Sequence, residues 1–588
     1  MAAAIGTGGA QHELRLYAAL ALLRLGLTLS PGYVHPDEHF QAVEPAARLL
    51  GWQSQLPWEF DANSPARSWL GALLAAWPWW LVSKFGTPST AVLLCAARLP
   101  YCVASFLQDA ALVAVSRGLS IPAAPILLLH ASAWPTLVFG ARTFSNSLEA
   151  TLLALALALV ARSHSRPHSS VAHCAMLGCL LSLGCWVRFT FILYWLPLGV
   201  LSLLHGRAAT GVPSASRASP MQPASSIRVR LSFLVLGAAM TSLVLLGVDC
   251  AIYGPACLGA PWRCIPPLNA AIYNASPSRL AIHGLHPRLT HVAVNLPLLA
   301  GPIALAAAAD LATYLASLIS DARLPGAAAI NACVARLARL ARLLLPMRGV
   351  PRGPMRRVLP GTILLPLAAL SLVPHQEARF LLPAMLPLVL LYGCSIRGRR
   401  AFYVWIAYHL SVTAFYSCAH QAGVVRALAH LQRPLSGQPP SEVHATPAAA
   451  IFFRTYMPPT ALLGAAAAGP PLRVTALDSS ATYRELKGQI HVQLSALRRA
   501  TGARDERRLY VVLPAVHAPG LPHARAAHAV CRSKARWAPA RRLMGWLAKY
   551  GIGAAPPRRV RRLWPHWSGE EPSRALREAA LEIYEYTA

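Results

Sequence analysis

The chain has 588 residues, of which 55% are hydrophobic and 13% are charged, whereas a typical soluble domain carries about 25% charged residues. Its 54 Lys and Arg outnumber its 22 Asp and Glu and give a formal charge of +32. The basic residues lie between apolar stretches and follow no zinc-finger, RRM or basic-zipper pattern. The composition therefore excludes a soluble enzyme and argues against nucleic-acid binding.

Apolar stretches of transmembrane length recur along the amino-terminal two thirds of the chain. Residues 14–29 lack a small-residue cleavage site and predict a retained first helix. Residues 121–140 contain Pro122, Pro125 and Pro135, which predict a broken or re-entrant segment. Further spans are predicted at residues 231–251, 292–309, 359–373 and 380–395. We expect an all-α polytopic membrane protein with about eleven transmembrane helices.

Basic segments set the orientation of these spans, because cytosolic loops are enriched in Lys and Arg. The strongest are predicted to face the cytosol, namely residues 162–166, 207–230, 323–357 and 397–400. Loops 32–67 and 253–290 then face the lumen. Cys257 and Cys264 lie in the second loop and can pair as a disulfide if that loop is lumenal.

Residues 1–420 are predicted to form the transmembrane bundle, and residues 421–588 a small extramembrane region of uncertain fold. The latter is richer in Arg, His and Pro. Within it, residues 509–513 predict a short strand and residues 573–586 a terminal helix.

Acidic residues cluster directly after the first helix, in HPDEHFQ at residues 35–41. Proline followed by acids is an ordinary helix start, and the apolar residues beyond can form one face of a surface helix. The functional alternative is a general base supplied by Asp37 or Glu38, with His35 and Gln41 beside it. Adjacent helix positions diverge by about 100°, so the two carboxylates cannot both face one hydroxyl group.

A second polar cluster consists of His375, Gln376, Glu377 and Arg379, between two apolar spans. An Arg at the edge of the bilayer suits a phosphate clamp. The alternative is a surface ion pair between Glu377 and Arg379, which is common and weak.

A third cluster lies in HGLHPR at residues 283–288 and contains His283, His286 and Arg288. Glycine and proline break any helix there, and no Cys or carboxylate completes a metal-ligand set, so we expect no metal. Sugar or phosphate binding by a structured loop is the functional interpretation, and a plain polar loop is the alternative. Polar residues within apolar spans are expected to face a cavity or a partner; they are Arg98, Gln108, Asp109, Arg142, Asn146, Glu149, Arg188 and Asp249.

HPDEHFQ together with HQEARFLLP (residues 375–383) resembles the dolichol-phosphate-mannose-dependent mannosyltransferases of glycosyltransferase family 22. Within that family, three segments are similar to the subfamily that adds the fourth mannose to the glycosylphosphatidylinositol (GPI) precursor. They are ARTFSNSLEA (141–150), PLNAAIYN…LAIHGLHPRLTHVAVNLPLLAGP (267–302) and FRTYMPP (453–459).

The resemblance implies a GT-C fold bundle in the endoplasmic reticulum membrane with a lumenal active site. It implies inverting transfer of mannose from dolichol-phosphate-mannose to a GPI glycolipid, forming an α1,2 bond without a cofactor or nucleotide. The phosphate is already a good leaving group, so one base suffices, and cations must stabilise the developing phosphate charge. We expect Asp37 to be the base and Arg379, helped by His375, to hold the phosphate.

Three alternatives remain from other classes or acceptors. A lipid or sugar transporter predicts pseudo-repeated halves with paired broken helices, and the sequence shows no such symmetry. A sister enzyme that adds the third GPI mannose, or an N-glycan precursor mannose, stays open. A non-catalytic scaffold is disfavoured because both acidic motifs are intact.

Overall fold

The computed structural model describes residues 7–164, 171–204, 227–308, 354–396, 399–435, 447–466, 472–478, 480–500, 508–514, 558–563 and 581–587. Its α-helices are Thr7–Gly26, Asp37–Phe40, Val43–Leu49, Leu70–Ser83, Thr90–Gly118, Ala123–Ser132, Trp134–Phe139, Ser145–His164, Val171–Val187, Phe191–Leu204, Ile227–Tyr253, Pro255–Leu258, Pro266–Asn274, Pro277–Ala281, Leu296–Ala300, Pro354–Ser371, Met385–Tyr392, Arg399–Ala414, Ala422–Leu435 and Tyr483–Ala500. Most of the basic segments at residues 207–230, 323–357 and 397–400 fall outside the described residues.

Three helices in the described part of the chain are long and apolar enough to cross a bilayer: Thr90–Gly118, Ser145–Ser163 and Ile227–Tyr253. Shorter apolar helices of 10–17 residues accompany them. The prediction of a membrane protein with several spans agrees with these helices, but the count of about eleven crossings is not confirmed.

The proline-rich stretch at residues 121–140 is broken, as predicted. It forms two helices, Ala123–Ser132 and Trp134–Phe139, separated by Ala133 with φ −65° and ψ 133°. Pro135 falls in the first turn of the second helix, where its missing N–H costs no hydrogen bond and its fixed φ suits the helix.

The chain divides into two compact units. The first comprises Met1–Gly26, Pro57–Gly71 and Leu99–Thr413, and the second comprises Leu27–Leu56, Ala72–Arg98 and Ala414–Ala588. The HGLHPR loop and the HQEARF turn belong to the first unit, and HPDEHFQ belongs to the second.

Buried charges inside the first unit have partners, as the sequence predicts. Asp109 forms an ion pair with Arg24 at 3.1 Å and a hydrogen bond with His130 at 2.8 Å. Glu149 pairs with Arg188 at 3.3 Å. These contacts neutralise charges that would otherwise be expensive at membrane depth.

The second unit contains a five-stranded sheet, so the fold is mostly helical rather than all-α. Its strands are β1 (Pro447–Phe453), β2 (Arg473–Leu477), β3 (Arg508–Pro514), β4 (Arg558–Leu563) and β5 (Leu581–Thr587), in the order β2-β1-β3-β5-β4. β1 is parallel to β2 and β3, whereas β5 is antiparallel to β3 and β4. The strand predicted at residues 509–513 is confirmed.

A helix covers one face of this sheet. Alternate apolar residues of β1 and β3 face Leu486, Ile490 and Leu494 of the helix Tyr483–Ala500, which share one helical side. The predicted terminal helix is wrong over residues 581–586, which form β5, while residues 573–580 lie outside the described residues. β5 carries Leu, Ile and Tyr, which favour strands, and its pairing with β3 overrides the local helical pattern.

Candidate functional site

The backbone ahead of the HPDE motif is fixed by the π-helical turn Phe415–Ala419 and by His420. The Gly32 N–H donates to Ser417 O at 2.8 Å, and the Tyr33 N–H donates to His420 O at 2.9 Å. His420 Nδ1 donates in return to Tyr33 O at 2.8 Å. A Cβ on Gly32 would lie 2.0 Å from Tyr416 O, so only glycine permits this approach.

Glu38 is completely buried and is held by Arg98. Arg98 Nε donates to Glu38 Oε1 at 2.8 Å, and the Nη2 of the same guanidinium contacts the same oxygen. Arg98 also donates to the carbonyls of Thr28 at 3.1 Å and Ser30 at 2.7 Å. The pair therefore ties the motif to the chain that precedes it. Sequence reasoning marked Arg98 as a charged residue in an apolar span but could not name its partner.

Asp37 lies on the accessible side of the same short helix, with 24% of its side chain exposed. The side-chain amide of Gln41 donates to Asp37 Oδ2. His35 Nδ1 accepts the backbone N–H of Asp37 at 3.2 Å and lies 3.4 Å from Asp37 Oδ1. The predicted divergence of the two carboxylates is confirmed, since Glu38 is buried and Asp37 is accessible.

Glu44 is a buried carboxylate that sequence reasoning missed. It accepts the backbone N–H of Gln55 at 2.6 Å and that of Ala461 at 2.9 Å, and the Thr460 hydroxyl donates to it at 3.3 Å. Burial raises the pKa of Glu44 to about 7, although these hydrogen bonds oppose the rise. Glu44 thus anchors the helix Val43–Leu49 to the segment that follows β1.

His375, in the first unit, has an acceptor at each ring nitrogen. Nδ1 lies 3.1 Å from Gly284 O, and Nε2 lies 2.9 Å from Glu377 Oε1. Both contacts are hydrogen bonds only if both nitrogens carry protons, which makes the ring a cation. Burial lowers the pKa of His375, but the hydrogen bond and charge of Glu377 outweigh it and raise the pKa above its usual value.

Arg379 contacts the same carboxylate through its Nε. Its side chain is 7% exposed, and its guanidinium lies 5.4 Å from the centre of the Phe380 ring. Glu377 is therefore held between two cations, His375 and Arg379. The ion pair of Glu377 with Arg379, considered as the alternative to a phosphate clamp, is present in the structure.

Gln376 braces the turn against the HGLHPR loop. The two N–H groups of its side-chain amide are shared among three carbonyls within hydrogen-bond distance of Nε2: Arg288 at 3.1 Å, Ser371 at 3.0 Å and Val373 at 3.1 Å. Its Oε1 accepts the backbone N–H of His291 at 2.8 Å. The side chain is buried, and these hydrogen bonds hold the backbone of the turn against that of the HGLHPR loop.

The remaining residues of the HGLHPR loop contact the turn directly. His286 Nδ1 accepts the Gln376 N–H at 3.2 Å, and the Arg288 guanidinium donates to the carbonyl of Leu372. The His283 ring lies 5.8 Å from the His375 ring. The structure therefore brings together all seven residues predicted in these two motifs.

An aromatic stack borders this cluster. The exposed Trp58 stacks on Tyr273 with ring centroids 3.9 Å apart, and the Tyr273 hydroxyl lies 2.9 Å from His283 Nε2. Cys257 and Cys264 are disulfide-bonded in the preceding loop. The described residues contain no group of three or more His, Cys, Asp or Glu arranged to hold a metal ion.

Comparison with known proteins identifies the family. The model of the Alg9-like mannosyltransferase family matches residues 15–461. GPI mannosyltransferase 4 of Aspergillus oryzae is 31% identical over 478 residues, covering 76% of this chain and 78% of the relative. GPI alpha-1,2-mannosyltransferase 4 of Homo sapiens is 32% identical over 485 residues, covering 78% and 77%.

Among solved structures, ArnT from Cupriavidus metallidurans bound to undecaprenyl phosphate aligns with a TM-score of 0.49 and 11% identity, covering 99% of this chain and 98% of that one. The match to the family model spans residues 15–461, which include HPDEHFQ and HQEARFLLP, and the two relatives each cover about three quarters of the chain. The chain therefore belongs to the Alg9-like mannosyltransferase family, and it is a mannosyltransferase.

Proposed function

We propose that this enzyme transfers mannose from dolichol-phosphate-mannose to the third mannose of a GPI-anchor precursor, forming an α1,2 bond on the lumenal side of the endoplasmic reticulum membrane. The names of the relatives support a GPI acceptor, and one of those names specifies the α1,2 linkage. The observation that carries the chemistry is the contrast inside HPDE, where Asp37 is accessible and Glu38 is buried against Arg98.

Asp37 is assigned as the general base. It takes the proton from the 2-hydroxyl of the acceptor mannose while that oxygen attacks C1 of the donor mannose. The bond from C1 to the phosphate oxygen breaks, dolichol phosphate leaves, and the β-linked sugar becomes α-linked. Gln41 and His35 flank the carboxylate and are assigned to hold it and the acceptor hydroxyl in reach of each other.

Arg379 and His375 are assigned to the donor phosphate. A guanidinium offers forked N–H donors that match phosphate oxygens, and a protonated imidazole adds a second positive charge. Glu377 holds both cations side by side, so with His375 protonated the three side chains carry a net charge of +1 and bring two cationic groups to one place. Such a pair stabilises the negative charge that develops on the leaving phosphate.

His283, His286 and Arg288 are assigned to the rest of the substrate-binding surface, and the buried Gln376 is assigned to hold that surface in place through its backbone hydrogen bonds. Their support is that the loop and the turn form one hydrogen-bonded assembly. Trp58 and Tyr273 extend this assembly with an aromatic face.

The acceptor is tested by mass spectrometry of GPI precursors from cells that lack the protein. We expect a precursor with three mannoses to accumulate in these cells. Wild-type protein should restore addition of the fourth mannose, whereas the Asp37→Asn variant at equal abundance should not. Accumulation of a precursor with two mannoses would assign the enzyme to the third mannose instead. Normal GPI precursors with truncated N-glycan precursors would contradict the proposal.

A further inference from the structure

The loop that leaves β1, residues 454–461, contacts the HPDE segment within the second unit; we call it the β1 exit loop. β1 lies between β2 and β3. The chain runs from β1 to its neighbour β2 on one side and then crosses to β3 on the other side of β1. In open α/β sheets, sites form outside the carboxyl ends of strands where the chain direction switches in this way. The exit loop begins at such a point.

Tyr456 is the residue of this loop that reaches the motif. Its ring packs edge-on against Tyr33 at 5.3 Å and against His420 at 5.6 Å, and it lies 6.4 Å from the His35 ring. These separations are those of attractive aromatic pairs. The Tyr33 hydroxyl also donates to Met457 O at 2.9 Å. Tyr33, two residues before the motif, therefore contacts both the Tyr456 ring and the backbone of the next residue.

The backbone around Tyr456 is held in a costly conformation. Arg454 and Gln421 have φ of 54° and 48° and are two of the three non-glycine residues with positive φ in the described part of the chain. Such residues persist only where surrounding contacts determine them, and they concentrate at functional sites. Here the Arg454 N–H donates to Leu477 O at 2.7 Å, and Gln421 Oε1 accepts the Tyr456 N–H at 3.3 Å.

The far end of the loop is also anchored, because Glu44 accepts the Ala461 N–H and the Thr460 hydroxyl. Glu44 belongs to the helix directly after the HPDE motif. The middle of the loop, at Tyr456 and Met457, and its far end are therefore fixed to residues 33–44, which include the carboxylate assigned as the base.

We propose that Tyr456 is a positioning residue for the HPDE site and acts through His35 on Asp37. His35 is 32% exposed and touches Asp37 at both its backbone N–H and its carboxylate. Tyr456 stands beside the imidazole and limits its rotation, so it fixes the direction in which Asp37 points. This inference rests on the proposed role of Asp37 as the base.

The test is steady-state kinetics of the purified full-length enzyme with dolichol-phosphate-mannose and the three-mannose GPI precursor. Because misplacing a reacting group by about 1 Å costs up to about 100-fold, we expect Tyr456→Ala to lower kcat about tenfold with little change in KM. Tyr456→Phe keeps the ring and should remain within about twofold of wild type. If Tyr456→Ala is recovered unfolded, Tyr456→Leu replaces it.

Tyr483→Ala is the matched control, since Tyr483 packs on Phe453 of the same strand at 5.3 Å. It removes an equal side chain from the helix that covers the same sheet and should leave kcat near wild type. An equal fall of kcat in Tyr483→Ala and Tyr456→Ala would show a general loss of packing and overturn the inference.

A double-mutant cycle with Asp37→Asn separates positioning from structure. If Tyr456 acts through Asp37, adding Tyr456→Ala to Asp37→Asn lowers the residual rate no further. If Asp37→Asn is slow by itself and the double variant is slower still by the full factor of Tyr456→Ala, the two residues act independently. That result would overturn this inference and leave Asp37 as the base. Normal turnover by Asp37→Asn would instead remove the base assignment, and this inference with it.

Discussion

Replacing each carboxylate of the HPDE motif by its amide should separate chemistry from stability. Asp37 is 24% exposed and bonded to Gln41, and the amide in the Asp37→Asn variant keeps an oxygen for that bond. The free energy of unfolding of Asp37→Asn should therefore change by less than about 0.5 kcal/mol. Loss of a general base slows a reaction by about 10²–10⁴-fold, which corresponds to about 3–5 kcal/mol of activation free energy.

Glu38→Gln should show the reverse pattern. The substitution removes the charge of a fully buried pair but leaves an acceptor oxygen for Arg98. Hydrogen bonds to charged groups contribute about 1.5–3 kcal/mol, so a loss of stability of up to about that size is expected. The fraction that remains folded should transfer mannose at close to the wild-type rate.

Two measurements on the same preparations decide between these outcomes: mannose transfer per mole of folded enzyme, and the thermal unfolding midpoint in detergent. A fully folded but inactive Glu38→Gln, alongside normal turnover by Asp37→Asn, would move the base to Glu38. Normal turnover by both variants would reduce the motif to a helix start and refute the reasoning.

Three further predictions concern the cations. Arg98→Met leaves the Glu38 charge buried and unpaired, so the free energy of unfolding should fall by about 3–5 kcal/mol in chemical denaturation, whereas Arg48→Met, at an exposed position, should have little effect. Arg379→Lys keeps charge but loses the fork; donor binding measured by titration should weaken, and unchanged binding would exclude a clamp. The pKa of His375 is raised above its usual value, so the imidazole is charged at low pH and loses its charge as the pH rises through this raised pKa. Donor affinity should fall over the same range, and His375→Gln should flatten the profile.

The sequence predicts the local part of the candidate site and misses its long-range part. The acidic pair, its divergence and the broken segment at residues 121–140 follow from helix geometry and proline sterics, which act over a few residues. The partners do not: Arg98 lies 60 residues from Glu38, and Thr460 lies 416 residues from Glu44. No periodicity encodes contacts of that separation.

The same limit explains the errors in the carboxyl-terminal region. Residues 581–586 carry a pattern compatible with a helix, but β5 pairs with β3 and β4, more than 60 and about 20 residues earlier in the chain. In the sequence, the β1 exit loop stands out only through FRTYMPP (453–459), one of the segments similar to the subfamily. Its position against the motif became apparent from the fold.

The reaction needs one base, whereas the motif supplies two adjacent carboxylates, and the structure suggests a reason for the second. A base must stay ionised and reachable, so Asp37 cannot also be engaged in a buried ion pair. Glu38 forms that pair with Arg98, which also binds the carbonyls of Thr28 and Ser30 and fixes the backbone that leads into the motif. On this proposal Glu38 stabilises the fold of the motif without touching substrate, and Asp37 stays available for the chemistry. Activity lost in Glu38 variants should then follow the folded fraction, while activity lost in Asp37 variants should not.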